Sequence, residues 1–186
     1  MSDPIRVVGV VASLRRGSYN RLLMRAAEQE LPPDMQLEQA VIADLPFYDG
    51  DVEAAGLPAP VERFKAQIRA ADALLIATPE YNYAIPGLLK NALDWASRPS
   101  GQSALTGKAM AVIGASTGVL GTARAQMQLR QLALGLDVQI ANRPEVLLGQ
   151  AASKFDAEGR LTDDNARRLL RELLLTLRTL ARRLRA

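Results

Sequence analysis

Cysteine and histidine are both absent from this 186-residue chain. Without cysteine there are no disulfides, thiolate nucleophiles or sulfur metal ligands; without histidine the commonest general base and the commonest metal ligand are gone. No protein-held metal is expected, and demanding chemistry has to come from a bound organic cofactor, which carries the reactive electronics while the protein holds and tunes it. Also missing is any run of about 18 apolar residues, so no membrane span is expected. The first residues, Met1-Ser2-Asp3-Pro4, carry no basic segment followed by a long apolar one, which points to the cytoplasm. Aromatic residues are scarce, at 4%, with only four tyrosines, yet Tyr81 and Tyr83 flank a single asparagine.

Hydrophobic residues make up 48% of the 186, enough for one well-buried core and few for two, so a single domain over residues 1–186 is expected. The sequence pI near 9.5 raises a nucleic-acid reading until the charge is divided by position. Residues 1–159 hold 15 Lys and Arg against 17 Asp and Glu, a net of −2, whereas residues 160–186 hold eight against three, a net of +5. There Leu169, Leu170, Leu173, Leu174, Leu177, Leu180 and Leu184 recur at helical spacing, with Arg167, Arg168, Arg171, Arg178, Arg182 and Arg185 mostly between them. This describes a core-docked terminal helix with a solvated basic face, and no nucleic-acid partner is expected.

Along the chain, short apolar runs alternate with amphipathic stretches. Strands are expected at residues 5–12, 35–42, 72–78, 108–115 and from 138 to 141, the last extended by 146–148; helices are expected at 20–30, 61–71, 86–97 and 122–134 and at the C-terminus. The segment from 43 to 60, rich in Pro, Asp and Gly, reads as loop. Strands alternating with helices imply an α/β fold: a five-stranded parallel sheet in the order 2-1-3-4-5, with helices on both faces. In such sheets ligands bind beyond the carboxyl ends of the strands, where strand order reverses. The loops after strands 1, 3 and 4 are therefore the informative ones.

The first of these reads Ser13-Leu14-Arg15-Arg16-Gly17-Ser18-Tyr19-Asn20, just before a helix. Two hydroxyls, a guanidinium and the N–H groups of a helix start suit a phosphate. An ordinary helix cap with two solvent-facing arginines accounts for the same residues. The loop has neither the Gly-Lys-Ser/Thr ending of an ATP-binding loop nor the Gly-x-Gly-x-x-Gly of a dinucleotide site, which leaves a single terminal phosphate such as that of FMN. The second loop, Thr78 to Gly87, is punctuated by Pro79 and Pro86 around Tyr81-Asn82-Tyr83, a pinned turn able to offer N–H groups and ring edges to a flat heteroaromatic ring. The third, Gly114 to Thr122, places three glycines among small hydroxylated residues, which lets the backbone approach a ligand closely.

The segments SLRRGSYNR, PEYNYAIPGLLKNALDWASRP and GASTGVLGTARAQ together make the chain similar to the NADPH-dependent FMN reductase family, with its flavodoxin-like fold, and most similar to its chromate and quinone reductase branch. The likeness runs over nearly the whole chain; Ala12 stands where the family usually has glycine. The resemblance implies that Ser13, Arg15, Ser18, Tyr19 and Asn20 hold the FMN phosphate. It implies that Pro79, Glu80, Tyr81, Asn82 and Tyr83 line the isoalloxazine, with Ser116, Thr117 and Gly118 closing the other edge. It further implies NADPH or NADH as electron donor, hydride transfer through flavin N5 with no catalytic side chain, and small-molecule acceptors: quinones foremost, then chromate, ferric complexes, azo compounds and free flavin. Assembly as a homodimer or homotetramer is implied too, through the helices after strands 3 and 4, with Trp95, Arg124 and Glu145 at the interface. Lys90 and Arg98 are candidates for attracting the nicotinamide nucleotide's phosphates, although surface cations of this kind are commonly only solvated. The alternative is a flavodoxin-like electron carrier without turnover of its own, against which stands the near-neutral body, since carriers tend to be acidic.

Overall fold

Valine-rich and almost free of polar residues, Ile5–Val11 forms the first strand, β1, and its alternation decides the layering. Ile5 and Val7 face one layer while Val8 and Val10 face the other, so both sides of the strand are buried. The computed structural model describes residues 3–185; Met1, Ser2 and Ala186, which the N-terminal reading or the single-domain expectation includes, lie outside the described residues.

After β1 come α1 (Tyr19–Gln29), β2 (Met35–Ala40), α2 (Gly50–Ala55), α3 (Ala59–Ala70), β3 (Ala73–Ala77), α4 (Gly87–Ala96), β4 (Ala109–Ala115), α5 (Ala123–Leu136), β5 (Gln139–Ile140), β6 (Val146–Leu148) and α6 (Asp164–Arg185). The sheet is parallel in the order β2-β1-β3-β4-β5, as the alternation of strands and helices implies, with β6 also paired to β4. β5 meets the start of β4 at Ala109 and Met110, and β6 meets its end at Ile113 to Ala115. The break between them contains Pro144, which has no N–H to give a ladder. One face is covered by α1 and α6, the other by α3, α4 and α5.

Two expectations need correction. Residues 50–55 are a helix, α2, inside what reads as loop; it buries no residue, so no apolar period announces it. Its start is nevertheless encoded, because Asp49 caps the N–H of Asp51 at 2.8 Å and Tyr48 bonds Glu53 at 2.8 Å. Trp95 cannot be an interface residue: it is 0% exposed, donates from its indole N–H to Pro46 O at 2.8 Å, and meets Tyr48 edge-on with ring centroids 5.0 Å apart. An indole buried with its N–H satisfied has nothing left to offer a partner.

The terminal helix docks as its spacing implies, burying Ala166, Leu170, Leu173, Leu174, Leu177 and Ala181 against β4, α1 and the neighbouring strands. Each such leucine contributes about 1.5–3 kcal/mol. Its basic face is more than solvated. Arg171 and Arg167 grip Glu30 at 2.6 and 3.0 Å, Arg178 and Arg182 share Asp34, and Arg185 holds Asp72 while donating to Pro4 O at 2.9 Å. Burial works to raise the carboxyls of Glu30, Asp34 and Asp72, but the hydrogen bonds and charges of these arginines outweigh it and hold all three below the usual carboxylate range.

Candidate active site

At the carboxyl end of β1, Ala12 continues the ladder by donating to Ala77 O at 2.9 Å, and the chain then leaves the sheet. Ser18 is the N-terminal flanking residue of α1, yet its side chain makes no capping bond. The first two N–H groups of the helix, on Tyr19 and Asn20, have no backbone acceptor among the described residues. Ser13 and Ser18 are buried polar residues, and neither hydroxyl finds a partner among the described residues. Both residues line the same cavity, and hydroxyls that converge unpaired beside the open N–H groups of a helix start make an anion cradle. Arg15 stands at its rim, its guanidinium donating to Gly17 O at 2.8 Å.

Asn20 plays a different part from its neighbours. Its side-chain amide donates to Ala115 O at 2.9 Å and accepts from Ala115 N–H at 2.8 Å, so both ends are consumed in tying α1 to the end of β4. What Asn20 retains for a ligand is its main-chain N–H. The Tyr19 ring stacks on Phe155, with centroids 5.9 Å apart, a partner that local spacing could not reveal.

The turn after β3 is built under constraint. Tyr81 and Ala84 exchange both N–H···O bonds at 3.0 Å, while Asn82 (φ 49°) and Tyr83 (φ 69°) are both left-handed, which makes a two-residue type I′ hairpin. It is fastened to α5 at two points. The Glu80 side chain, 4% exposed, accepts from the N–H groups of Arg124 (2.9 Å) and Ala125 (3.2 Å) and pairs with the Arg124 guanidinium. Ile85 N–H donates to the Gln128 side chain at 2.8 Å. Glu80 thus caps a helix 44 residues away, whose own flanking Thr122 makes no side-chain cap. Tyr81 and Tyr83 stay 51% and 73% exposed, so neither earns its place by packing.

The third loop is stitched to the segment after β6. Ser116 N–H donates to Leu148 O at 2.9 Å, its hydroxyl accepts from Gly118 N–H at 3.1 Å, and Gly118 O accepts from Gln150 N–H at 3.0 Å. Gly114 is obligatory where β4 passes Thr122: a Cβ there would lie 1.8 Å from the threonine hydroxyl.

Ser13, Arg15, Ser18, Tyr19, Asn20, Pro79, Glu80, Tyr81, Ser116 and Thr117 border one cavity of about 180 Å³, together with Ala115. Asn82, Tyr83 and Gly118 border a second, of about 460 Å³, which shares Glu80 and Ser116 with the first and adds Val119, Leu120, Gly121 and Arg124. The candidates from all three loops therefore meet at one sheet edge, divided between two adjoining hollows. Arg124 and Gln128, which fix the middle loop, are the residues that sequence reasoning missed at this site. Lys90 is engaged by Asp94 at 2.6 Å and Arg98 lies over the Tyr48 ring, so both cations are occupied locally.

A parallel 2-1-3-4-5 sheet with an anion cradle after β1 and hollows between the loops after β3 and β4 defines a flavodoxin-like protein. The chain belongs to the NADPH-dependent FMN reductase family, whose model matches residues 5–153. It is 54% identical over 185 residues to an NAD(P)H-dependent FMN reductase of Pseudomonas aeruginosa, covering the whole of both chains. It is 43% identical to a 2-hydroxy-1,4-benzoquinone reductase of a Burkholderia species, over 91% of this chain and 92% of that one. Among solved structures it resembles the flavoenzyme NAD(P)H:(acceptor) oxidoreductase FerB of Paracoccus denitrificans, with TM-score 0.88, 36% identity, and 96% and 98% of the two chains covered. The protein is accordingly an NAD(P)H-dependent FMN reductase in class. No described helix is long and apolar enough to cross a membrane.

Proposed function

We propose that the protein is an NAD(P)H:quinone oxidoreductase whose FMN is seated by the thirteen residues placed along this sheet edge. The carrying observation is the pair of unpartnered hydroxyls of Ser13 and Ser18, residues that line one cavity beside the open N–H groups of α1. These donors suit a phosphate, and hydrogen bonds to a charged oxygen are the strong kind. The exposed Tyr81 turn and the Ser116–Gly118 backbone border the remainder of the site, where a ring would need apolar contact and donors. When bound, FMN would supply the two-electron, hydride-type redox chemistry that links NAD(P)H to the acceptor.

The chain's own residues bind and orient. Ser13, Ser18 and Arg15 hold the phosphate end, the Glu80 clasp keeps the middle loop in register with α5, and Ser116 keeps the third loop folded on residues 148–151. With no histidine or cysteine in the chain, water delivers the proton that accompanies hydride when a quinone becomes a hydroquinone. The relatives' names favour quinones as acceptors; chromate, ferric complexes, azo compounds and free flavin are proposed as further ones on the family resemblance alone. Exposed Leu120, Met127 and Leu134, all on or next to α5, suit a homodimer or tetramer. A single cytoplasmic domain over residues 1–186 completes the reading.

The test is the visible spectrum of protein reconstituted with FMN, desalted, and titrated anaerobically with NADPH and NADH. Retained flavin that bleaches in one two-electron stage, and recovers its colour on adding a benzoquinone, supports the reading. Retained flavin that neither nucleotide bleaches would make the protein an electron carrier instead.

A further inference from the structure

Phe155 lies just beyond residues 5–153, the stretch that the family model matches, and it borders neither cavity of the site. It opens a hairpin that an antiparallel bridge closes at Leu161, and the hairpin is braced along its length. Asp156 N–H donates to Arg160 O at 3.0 Å, while the Asp156 carboxylate accepts from Arg160 N–H at 2.8 Å and from its guanidinium at 2.7 Å. At the open end, Thr162 N–H donates to Lys154 O at 2.9 Å and Lys154 pairs with Asp163 at 2.8 Å. Leu161 is buried in the core beneath α1 and α6. Gly159 passes so close to α1 that a Cβ there would lie 2.7 Å from the Arg25 guanidinium and 2.9 Å from Leu22. The hairpin therefore rests on α1 as a fixed body. Just upstream, the N–H groups of Gln150 and Ala151 donate to Gly118 O and Ser116 O, both at 3.0 Å, so the same segment is also tied to the third loop.

What the hairpin presents to the start of α1 is the Phe155 ring, stacked on Tyr19 with centroids 5.9 Å apart and planes 22° from parallel. The Arg15 guanidinium lies over the same tyrosine ring, 6.0 Å from its centroid. Arg15 is exposed and has no carboxylate partner among the described residues, so Gly17 O and this ring are what restrain it. A long cation costs conformational entropy to order when it meets an anion, and contacts that order it beforehand remove part of that cost. We propose that Phe155 is a positioning residue for the cofactor phosphate: it fixes the Tyr19 ring, the ring places Arg15 at the rim of the cradle, and the protein thereby favours the phosphorylated flavin over riboflavin. The inference rests on the FMN reading above and adds to it a residue from outside the cavity lining.

The test compares wild type with Phe155→Ala, Phe155→Leu, Phe155→Tyr, Arg15→Ala and the double variant Phe155→Ala/Arg15→Ala. Each is prepared free of flavin, its melting temperature is read, and FMN and riboflavin are titrated by fluorescence. Riboflavin carries the ring without the phosphate, so it reports the seat of the ring alone. Phe155→Ala should bind FMN about threefold to tenfold more weakly, the factor for ordering one long side chain on binding, while riboflavin affinity stays at the wild-type value. Phe155→Leu keeps apolar volume without a flat face; it serves should the alanine variant fail to fold, and it too should lose FMN affinity while keeping that for riboflavin. Phe155→Tyr, which keeps the flat face, should restore FMN affinity. In the Arg15→Ala background, Phe155→Ala should add little, because both changes disable one device. Equal losses for FMN and riboflavin, or a lower melting temperature with FMN affinity unchanged, would make Phe155 a structural residue, and full additivity with Arg15→Ala would separate it from the guanidinium; each overturns the inference. Wild type that prefers FMN to riboflavin while Phe155→Ala keeps the same preference refutes this inference alone. Wild type that binds neither flavin, or both alike, refutes the phosphate cradle and this inference with it.

Discussion

Asn20→Ala should weaken the fold before it weakens any ligand. The side chain satisfies both main-chain groups of Ala115, and Asn20 and Ala115 are both buried, at 3% and 2% exposure. Stranding each group costs about 1–3 kcal/mol. Water entering the gap returns part of this, so a net loss of about 2–4 kcal/mol is expected. With a urea slope of about 2 kcal/mol per molar, the unfolding midpoint should drop by about 1–2 M. Asn20→Asp isolates the donor half of the contact. A carboxylate still accepts from Ala115 N–H but sets an oxygen against Ala115 O with no proton between them. Its place in the first turn of α1 returns only about 0.3–1 kcal/mol. A protonated aspartic acid can donate to that carbonyl, so the introduced group has a raised pKa in the folded state. Its destabilisation is therefore full above that folded pKa and shrinks as pH falls through it. Urea unfolding of the FMN-free protein at pH 7 and pH 5 reads this directly. A wild-type midpoint for Asn20→Ala, or an Asn20→Asp deficit equal at both pH values, would refute the strut and return the Asn20 side chain to the ligand.

Arg15→Ala should weaken FMN binding about tenfold to a hundredfold, the worth of a charge-assisted bond to phosphate, with little change in the FMN-free melting temperature; equal affinity in a fluorescence titration would remove Arg15 from the site. Gly114→Ala forces a Cβ to within 1.8 Å of the Thr122 hydroxyl and 2.7 Å of Thr78 O, whereas Gly17→Ala meets nothing within 4 Å. The first should lose about 1–3 kcal/mol or more in urea unfolding and the second should be near neutral; equal effects would contradict the packing around β4. Glu30, Asp34 and Asp72 have folded-state pKa values below their unfolded ones, so their contribution is present above about pH 4 and is lost as pH falls through the lowered values. Unfolding midpoints should fall between pH 5 and pH 3, less steeply for Asp34→Asn, and an identical slope in that variant would count against the arginine clamp.

The strands and most helices were legible because their signals are local. IRVVGVV can be buried on both faces only as a strand, and Pro32-Pro33 mark where α1 must stop. The three loops were legible because parallel topology sends the ends of β1, β3 and β4 to one edge. The roles of individual residues within them were not. Glu80 caps α5 from 44 residues away, Asn20 reaches Ala115 across 95, and Arg171 finds Glu30 across 141. No period of 2 or 3.6 carries such pairings. The same holds for Trp95, whose partner Pro46 lies in a loop 49 residues earlier. A lone tryptophan on an amphipathic helix looks the same in sequence whether that loop covers it or a second subunit does.

The two ends of the sheet use charge in opposite ways, and this explains why a basic chain has a nearly neutral body. At the amino end, the starts of β1, β2 and β3 are each met by a cation from α6. Arg185 reaches Pro4 O before β1 and Asp72 before β3, Arg178 and Arg182 reach Asp34 before β2, and Lys108, before β4, closes the end of α3 by donating to Ala71 O at 2.5 Å. The basic surplus of the last helix is thus spent inside the molecule, on three acids whose lowered pKa values record the pairing. At the carboxyl end, the hydroxyls of Ser13 and Ser18 and the first N–H groups of α1 have no partner among the described residues, and the ion pair of Glu80 with Arg124 serves to hold a turn. Satisfied groups give stability and unsatisfied ones give binding, and a parallel sheet keeps them at opposite ends. It follows that neutralising the arginines of α6 should lower stability while sparing FMN affinity, and that Ser18→Ala should do the reverse. A variant at either end that moved both quantities together would show that the two ends are coupled through the sheet.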